Sequence, residues 1–212
     1  MSSPDDGDER GFDDAYAGTP PWDIGRPQPD LRSLFETRSF GESLLDVGCG
    51  TGENALFLAT QGYSVLGIDA SPRAIEQAQA KARNRRVEAR VRFAVQNALT
   101  LNELTAEFDV VVDCGLFHVF DDESRQTYLE ALAHVVAPGS YIVVLCFSDR
   151  EPGTWGPRRI STDEIRSAFV DGWAVEEIRS AHFAVNPNQE EIDPSNGDSV
   201  EAWLATGQRL RG

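Results

Sequence analysis

Lysine is almost missing from this chain of 212 residues: Lys81 stands alone beside eighteen arginines. Bases number 19 against 35 acids, a formal net charge of -16. A field of that sign repels phosphate backbones and anionic lipid, which argues against nucleic-acid and membrane partners. Acid surplus with scarce lysine suits either a salt-loaded cytoplasm or an acidic protein from a GC-rich, arginine-favouring genome. Stability titrated against KCl separates the two. Cysteine is scarce as well. Cys49, Cys114 and Cys146 have neither metal-ligand spacing nor a disulfide framework, so no metal is expected and a reducing, cytoplasmic location is the simplest expectation. No apolar run approaches the roughly 18–20 residues of a spanning helix. MSSPDDGDER at the start has no basic region and no apolar stretch, and is not expected to be a signal peptide. What is present, 41% hydrophobic residues, is enough for one ordinary domain with a full core.

Composition divides the chain into three parts. Residues 1–15, rich in Asp, Gly and Ser, are expected to form a disordered acidic tail. Residues 16–40 hold a proline-rich stretch with Tyr16 and Trp22, then apolar residues at 31, 34 and 35 that suit one short helix. From 41 to 212 strand and helix patterns alternate. Strands are expected at 43–47, 64–68, 91–95, 110–114 and 141–147, with late strands at 174–178 and 202–209 around a polar loop at 186–199. Helices are expected at 54–61, 71–84, 122–136 and 162–169. Ser71 and Pro72 form a cap and first-turn pair. This alternation implies an α/β fold: a Rossmann-like, seven-stranded, mostly parallel sheet with helices on both faces, binding ligands at the carboxyl ends of its strands.

The strongest functional signal is LLDVGCGTG at 44–52, followed by a second apolar run that ends at Asp69. A dinucleotide loop spaces its glycines G-x-G-x-x-G so that a helix N-terminus faces a pyrophosphate. In this chain Gly48, Gly50 and Gly52 alternate, and Glu53 follows. An acid at the helix mouth suits a ligand with a positive centre and no phosphate, and S-adenosylmethionine fits. Glycines let the backbone lie against such a ligand. Asp69 can accept both ribose hydroxyls. Asn97 is placed to take the adenine amine through its side-chain carbonyl, with the Ala98 amide facing a ring nitrogen. Asp113 is expected toward the methionine end.

LLDVGCGTG, GIDAS at 67–71 and VQNAL at 95–99 together resemble class I S-adenosylmethionine-dependent methyltransferases over residues 41–212. Many members of that class carry an acid where Asn97 stands; Asn retains the acceptor. PPWDIGRPQPDL at 20–31 resembles the N-terminal segment of thiol, halide and thiopurine methyltransferases, and that of bacterial methyltransferases acting on quinone-like or hydroxylated heteroaromatic compounds. DCGLFHVFDDESRQTYL at 113–129 and GPRRISTDEIRSAF at 156–169 resemble the bacterial group. The resemblance implies a lid at 16–40 and methyl transfer to O, S or N of a small, aromatic or heterocyclic acceptor. The alternatives are a thiol or halide methyltransferase, or a non-catalytic S-adenosylmethionine-binding module. The expected cofactor contacts are Asp46, Gly48, Gly50, Gly52, Asp69, Ala70, Asn97, Ala98, Asp113 and the lid residue Trp22.

His118 is the candidate catalytic base, because imidazole titrates near pH 6.5 and follows the fourth strand on the ligand edge. The bland alternative is a histidine that shapes the pocket or satisfies a backbone group. Tyr16, Trp155 and Arg158 are further pocket candidates, and Trp173 and Trp203 read as core.

Overall fold

A computed structural model of the chain describes residues 6–170, 172–186, 194 and 197–211, with the side chains of 6–10 left aside. Seven strands form one sheet in the order β3-β2-β1-β4-β5-β7-β6. These are β1 (Ser43–Val47), β2 (Ser64–Asp69), β3 (Val91–Val95), β4 (Phe108–Cys114), β5 (Val136–Phe147), β6 (Trp173–Ala184) and β7 (Ser199–Arg209). The first five pair in parallel, and β7 runs antiparallel between β5 and β6.

Alternation along the strands splits the core in two, because successive side chains leave a strand on opposite faces. Leu44, Val65, Val110, Val112, Val143 and Leu145 pack beneath α2 (Pro29–Thr37), α3 (Glu53–Thr60) and α4 (Pro72–Arg85). Leu45, Val47, Val111, Ile142 and Val144 pack beneath α5 (Asp122–Val135) and α6 (Thr162–Ala168). Leu44, Leu45, Val110 and Val111 are fully buried, as strands covered on both faces require. Strand order reverses between β1 and β4, and the crevice at that reversal opens at the carboxyl ends.

Several boundaries differ from expectation for identifiable reasons. Residues Asp6–Ala15, expected to be disordered, form helix α1. Its Asp13 accepts from the Ser71 hydroxyl at 2.6 Å and the Arg73 amide at 3.1 Å, so the N-terminus of α4 anchors it. Residues 1–5 of that tail lie outside the described residues, as does most of the 186–199 loop. A 3-10 turn at Ala98–Glu103 follows β3, capped by Asn97. Helix α5 runs directly into β5, so Pro138 and Gly139 fall within the strand. Strand β6 continues six residues past Ile178, which carries Phe183 to the ligand edge. The Ser71 and Pro72 start of α4 is as expected, with the Ser71 hydroxyl accepting from Ala74 at 3.0 Å. Among the described residues no helix is long and apolar enough to cross a membrane.

Candidate active site

One cavity of about 1320 Å³ opens over the carboxyl edge of the sheet. Ligand cavities usually measure roughly 300–1,000 Å³, so this one has room for a cofactor and an acceptor together.

The glycine loop forms its floor. Gly48, Gly50 and Gly52 take left-handed φ values of 67°, 53° and 85°. Gly48 and Gly50 line the cavity. A Cβ at Gly50 would lie 2.7 Å from the Tyr16 hydroxyl, so the missing side chain is what lets the lid reach the loop. Gly52 faces the other way. A Cβ there would lie 2.7 Å from the Phe93 ring, and the residue caps α3 without meeting the cavity. Its expected ligand contact is therefore corrected to a packing role.

Asp69 stands on the cavity wall at the end of β2. One carboxylate oxygen accepts from the Gly50 amide at 2.8 Å, the other from the Ser71 amide at 2.8 Å. These bonds aim the group. Burial pushes its pKa up, against the two amides that pull it down, and the net shift is upward. Ala70, Asn97, Ala98 and Leu99 continue the wall. The Asn97 carbonyl already accepts from the Leu99 amide at 2.7 Å, which sets the 3-10 turn and the orientation of Ala98.

Asp46 and Asp113 are moved off the wall. Both are fully buried under the floor, and neither lines the cavity. Asp113 accepts from the amides of Leu116 and Phe117 at 3.0 Å each and from the Tyr128 hydroxyl at 2.8 Å, which folds the turn after β4. Neither Asp46 oxygen has a well-formed hydrogen bond among the described residues, and the Ala55 amide pulls its pKa down only in part against burial. Burial raises Asp46 to about 8 and Asp113 to about 6. Glu53 is also reassigned. Its carboxylate is gripped by Arg85 at 2.9 and 2.8 Å and by Lys81 at 2.9 Å. Burial pushes it up, but these cations outweigh that and hold it below the usual range. Its charge is balanced by these two cations and is not offered free to a ligand.

Of residues 16–40, expected as a lid, those that line the cavity lie between Tyr16 and Gln28, while α2 packs into the core. The Trp22 indole donates to the Tyr16 hydroxyl at 2.9 Å, and both rings line the cavity. Thr51 donates to Asp23 at 2.8 Å. Gln28 exchanges two hydrogen bonds with the Ala184 backbone, at 2.9 and 2.8 Å, as an added strand residue would.

The far half of the cavity is aromatic. His118 and Phe147 lie 4.8 Å apart, Phe147 and Phe183 5.4 Å, and Phe147 and Trp155 5.7 Å between ring centroids. Phe147 and Phe183 were not singled out in the sequence; the end of the expected strand 141–147 was an available signal for Phe147, but Phe183 lies beyond the expected strand at 174–178 and had none. Arg158 also lines the cavity, paired with Asp122 and Glu164. Trp203 is core, as expected, and Trp173 packs against the second cluster.

His118 differs from the expected base. Its Nδ1 accepts the Phe147 amide at 2.9 Å. A backbone N–H only donates, so Nδ1 is unprotonated and the ring proton sits on Nε2. Burial first, then Arg159 and Arg125, push its pKa down to about 3, with the Gly115 carbonyl opposing. The imidazole is a neutral clip between β5 and the turn after β4.

The sequence matches the methyltransferase domain family over residues 44–139. It is 34% identical over 206 residues to the 2-heptyl-1-hydroxyquinolin-4(1H)-one methyltransferase of Mycobacteroides abscessus, covering 91% of this chain and 90% of that one. This chain belongs to the class I S-adenosylmethionine-dependent methyltransferases. The methyltransferase is also 28% identical to a probable thiol methyltransferase of Arabidopsis thaliana, over 82% of this chain and 77% of that one. A structure solved in work on the conversion of a disulfide bond into a thioacetal group during echinomycin biosynthesis superposes with a TM-score of 0.84. It shares 34% identity, covering 95% of this chain and 93% of the other. S-adenosylmethionine is the cofactor of this family. The wall suits it: a carboxylate on the cavity, a floor of side-chain-free backbone and a neighbouring aromatic chamber.

Proposed function

We propose that this methyltransferase methylates the oxygen of a small hydroxylated heteroaromatic compound. The observation that carries the reading is the chamber of His118, Phe147, Trp155 and Phe183, whose flat rings suit a planar acceptor. The full-length similarity to a hydroxyquinolone methyltransferase supports it.

When bound, S-adenosylmethionine supplies an electrophilic methyl group on a sulfonium. Asp69 would hold the ribose hydroxyls. Gly48 and Gly50 would face the amino acid tail, and Ala70, Asn97 and Ala98 the adenine. Trp22 and Tyr16 close the roof, and an indole face near a sulfonium gains roughly 0.5–2 kcal/mol. Residues 16–40 act as the lid over a domain at 41–212. The protein holds two reactants in line and shuts out water, which alone can lower a barrier by about 7–11 kcal/mol. The partner is a small molecule; the acidic surface disfavours nucleic acid and membranes, and a cytoplasmic setting remains the expectation.

A screen of phenols, quinols, hydroxyquinolones, thiols and iodide, read as S-adenosylhomocysteine release, tests this. Hydroxyquinolones are expected to turn over fastest. Turnover confined to thiols or iodide would replace this reading with the thiol or halide one, which the Arabidopsis relative favours.

A further inference from the structure

We propose that the acceptor enters the cavity already ionised, as the oxyanion or thiolate of a planar aromatic compound, and that no side chain of the protein takes its proton. The inference rests on the small-molecule reading above and narrows it.

The first ground is the state of each titratable group on the cavity. His118 has one basic lone pair, on Nδ1, and the Phe147 amide occupies it at 2.9 Å. To act as a base the ring would have to abandon a buried backbone N–H, leaving that donor unsatisfied. Burial keeps the Tyr16 hydroxyl and the Cys49 and Cys114 thiols protonated. Asp23 accepts from Thr51 at 2.8 Å and Gly25 at 3.1 Å, Glu53 is held by Arg85 and Lys81, and Asp69 by two amides. Asp121 caps α5, with its pKa pulled down by the Ser124 amide, and Glu123 follows in the first turn at the exposed mouth. The helix N-terminus stabilises the Asp121 carboxylate and weakens it as a base.

The second ground is the field in the aromatic half. The Arg159 guanidinium lies 5.4 Å from the Phe147 ring centre and 5.6 Å from that of Trp155, behind the chamber wall. The carbonyls of Trp155 and Pro157 hold it at 2.9 and 2.7 Å, with Glu151 nearby. Arg125 sits 4.7 Å over the Phe117 ring, beside His118. Burial is the larger cause of the low His118 pKa, but Arg159 and Arg125 add to it, and their part of the effect disfavours a positive charge at that place. A negative charge there is favoured by the same field.

The step then balances without a base. The acceptor has given its proton to solvent before entry. Its lone pair forms the new bond to the methyl carbon, the carbon–sulfur bond breaks, and that pair stays on sulfur. One anion and one cation become two neutral products, a change that a dry aromatic chamber favours over water.

Two measurements test the inference. In the first, kcat/KM is followed against pH for ring-substituted hydroxyquinolones and phenols of graded acidity, with wild type and His118→Gln, whose amide oxygen can accept from Phe147. The midpoint is expected to move with each acceptor's own pKa in both proteins. One midpoint shared by all acceptors, lost in the variant, overturns the inference. In the second, 4-nitrophenol is titrated by absorbance in the protein loaded with S-adenosylhomocysteine. Its midpoint is expected to fall by about one pH unit on binding and to return toward the free value in Arg159→Met. A raised midpoint overturns the inference. Absence of turnover across every acceptor instead sinks the small-molecule reading, whatever the chromophore shows.

Discussion

The Phe147 amide donates to Nδ1 of His118 at 2.9 Å, and this one bond decides the chemistry of the ring. Strand β4 ends at Cys114 while β5 continues to Phe147, so the last amide of β5 has no neighbouring strand on that side. The imidazole takes the place of the absent carbonyl. A residue of the type most often used as a base thereby becomes part of the sheet.

Three buried groups shape the pH dependence of stability. His118 is depressed to about 3, so the unfolded state binds more protons between pH 3 and 6.5, and its contribution falls as pH drops through that window. Asp113, raised to about 6, acts in the opposite sense, its contribution being full below pH 4 and lost as pH rises toward 6. Asp46 is raised to about 8, so its contribution is full below pH 4 and is lost as pH rises toward 8. Asp46→Asn is expected to flatten the upper limb and to stabilise the protein at pH 8 by a few kcal/mol, at roughly 1.4 kcal/mol per unit. Urea melts at pH 5, 6.5 and 8 check it; an unchanged upper limb would refute the buried, neutral Asp46.

Asp69→Ala is expected to weaken S-adenosylmethionine binding about 10- to 100-fold, because hydrogen bonds to a charged group contribute about 1.5–3 kcal/mol. Titration calorimetry measures it. Unchanged affinity would show that Asp69 serves only to tie Gly50 to Ser71.

The glycines should separate by role. Gly52→Ala places a methyl against Phe93 at a φ of 85°, and should lower stability by roughly 1–3 kcal/mol. Gly50→Ala instead pushes on the Tyr16 hydroxyl, and should loosen the lid and weaken cofactor binding more than it destabilises the core. Thermal melts beside binding isotherms resolve the two. Equal effects on both readouts would contradict the division.

Asp13→Ala removes the tie from α1 to α4. Loss of its bonds to Ser71 and Arg73 is expected to lower Tm slightly, read by thermal melts. Faster proteolysis before residue 20, with the core intact, is the accompanying expectation.

The parallel strands, the helices on both faces and the glycine loop were readable because each is written in a short local pattern: apolar runs, caps and alternating glycines. Helix α1 was not. Its residues are polar and its order comes from Ser71 and Arg73, nearly sixty positions away. Glu53 looked like a charge offered to the ligand. Lys81 and Arg85, one turn apart on α4, cancel it.

The sequence by itself determined the sheet and the cofactor. The floor and wall residues proposed to meet S-adenosylmethionine, Gly48 to Ala98, fall within one βαβ stretch and its next strand, where chain order nearly equals spatial order. Only the tertiary structure decided the acceptor chamber and the tautomer of His118. Phe147, Trp155 and Phe183 come from different strand ends and a loop. The proton on an imidazole is set by the partner across from it, which no local pattern names.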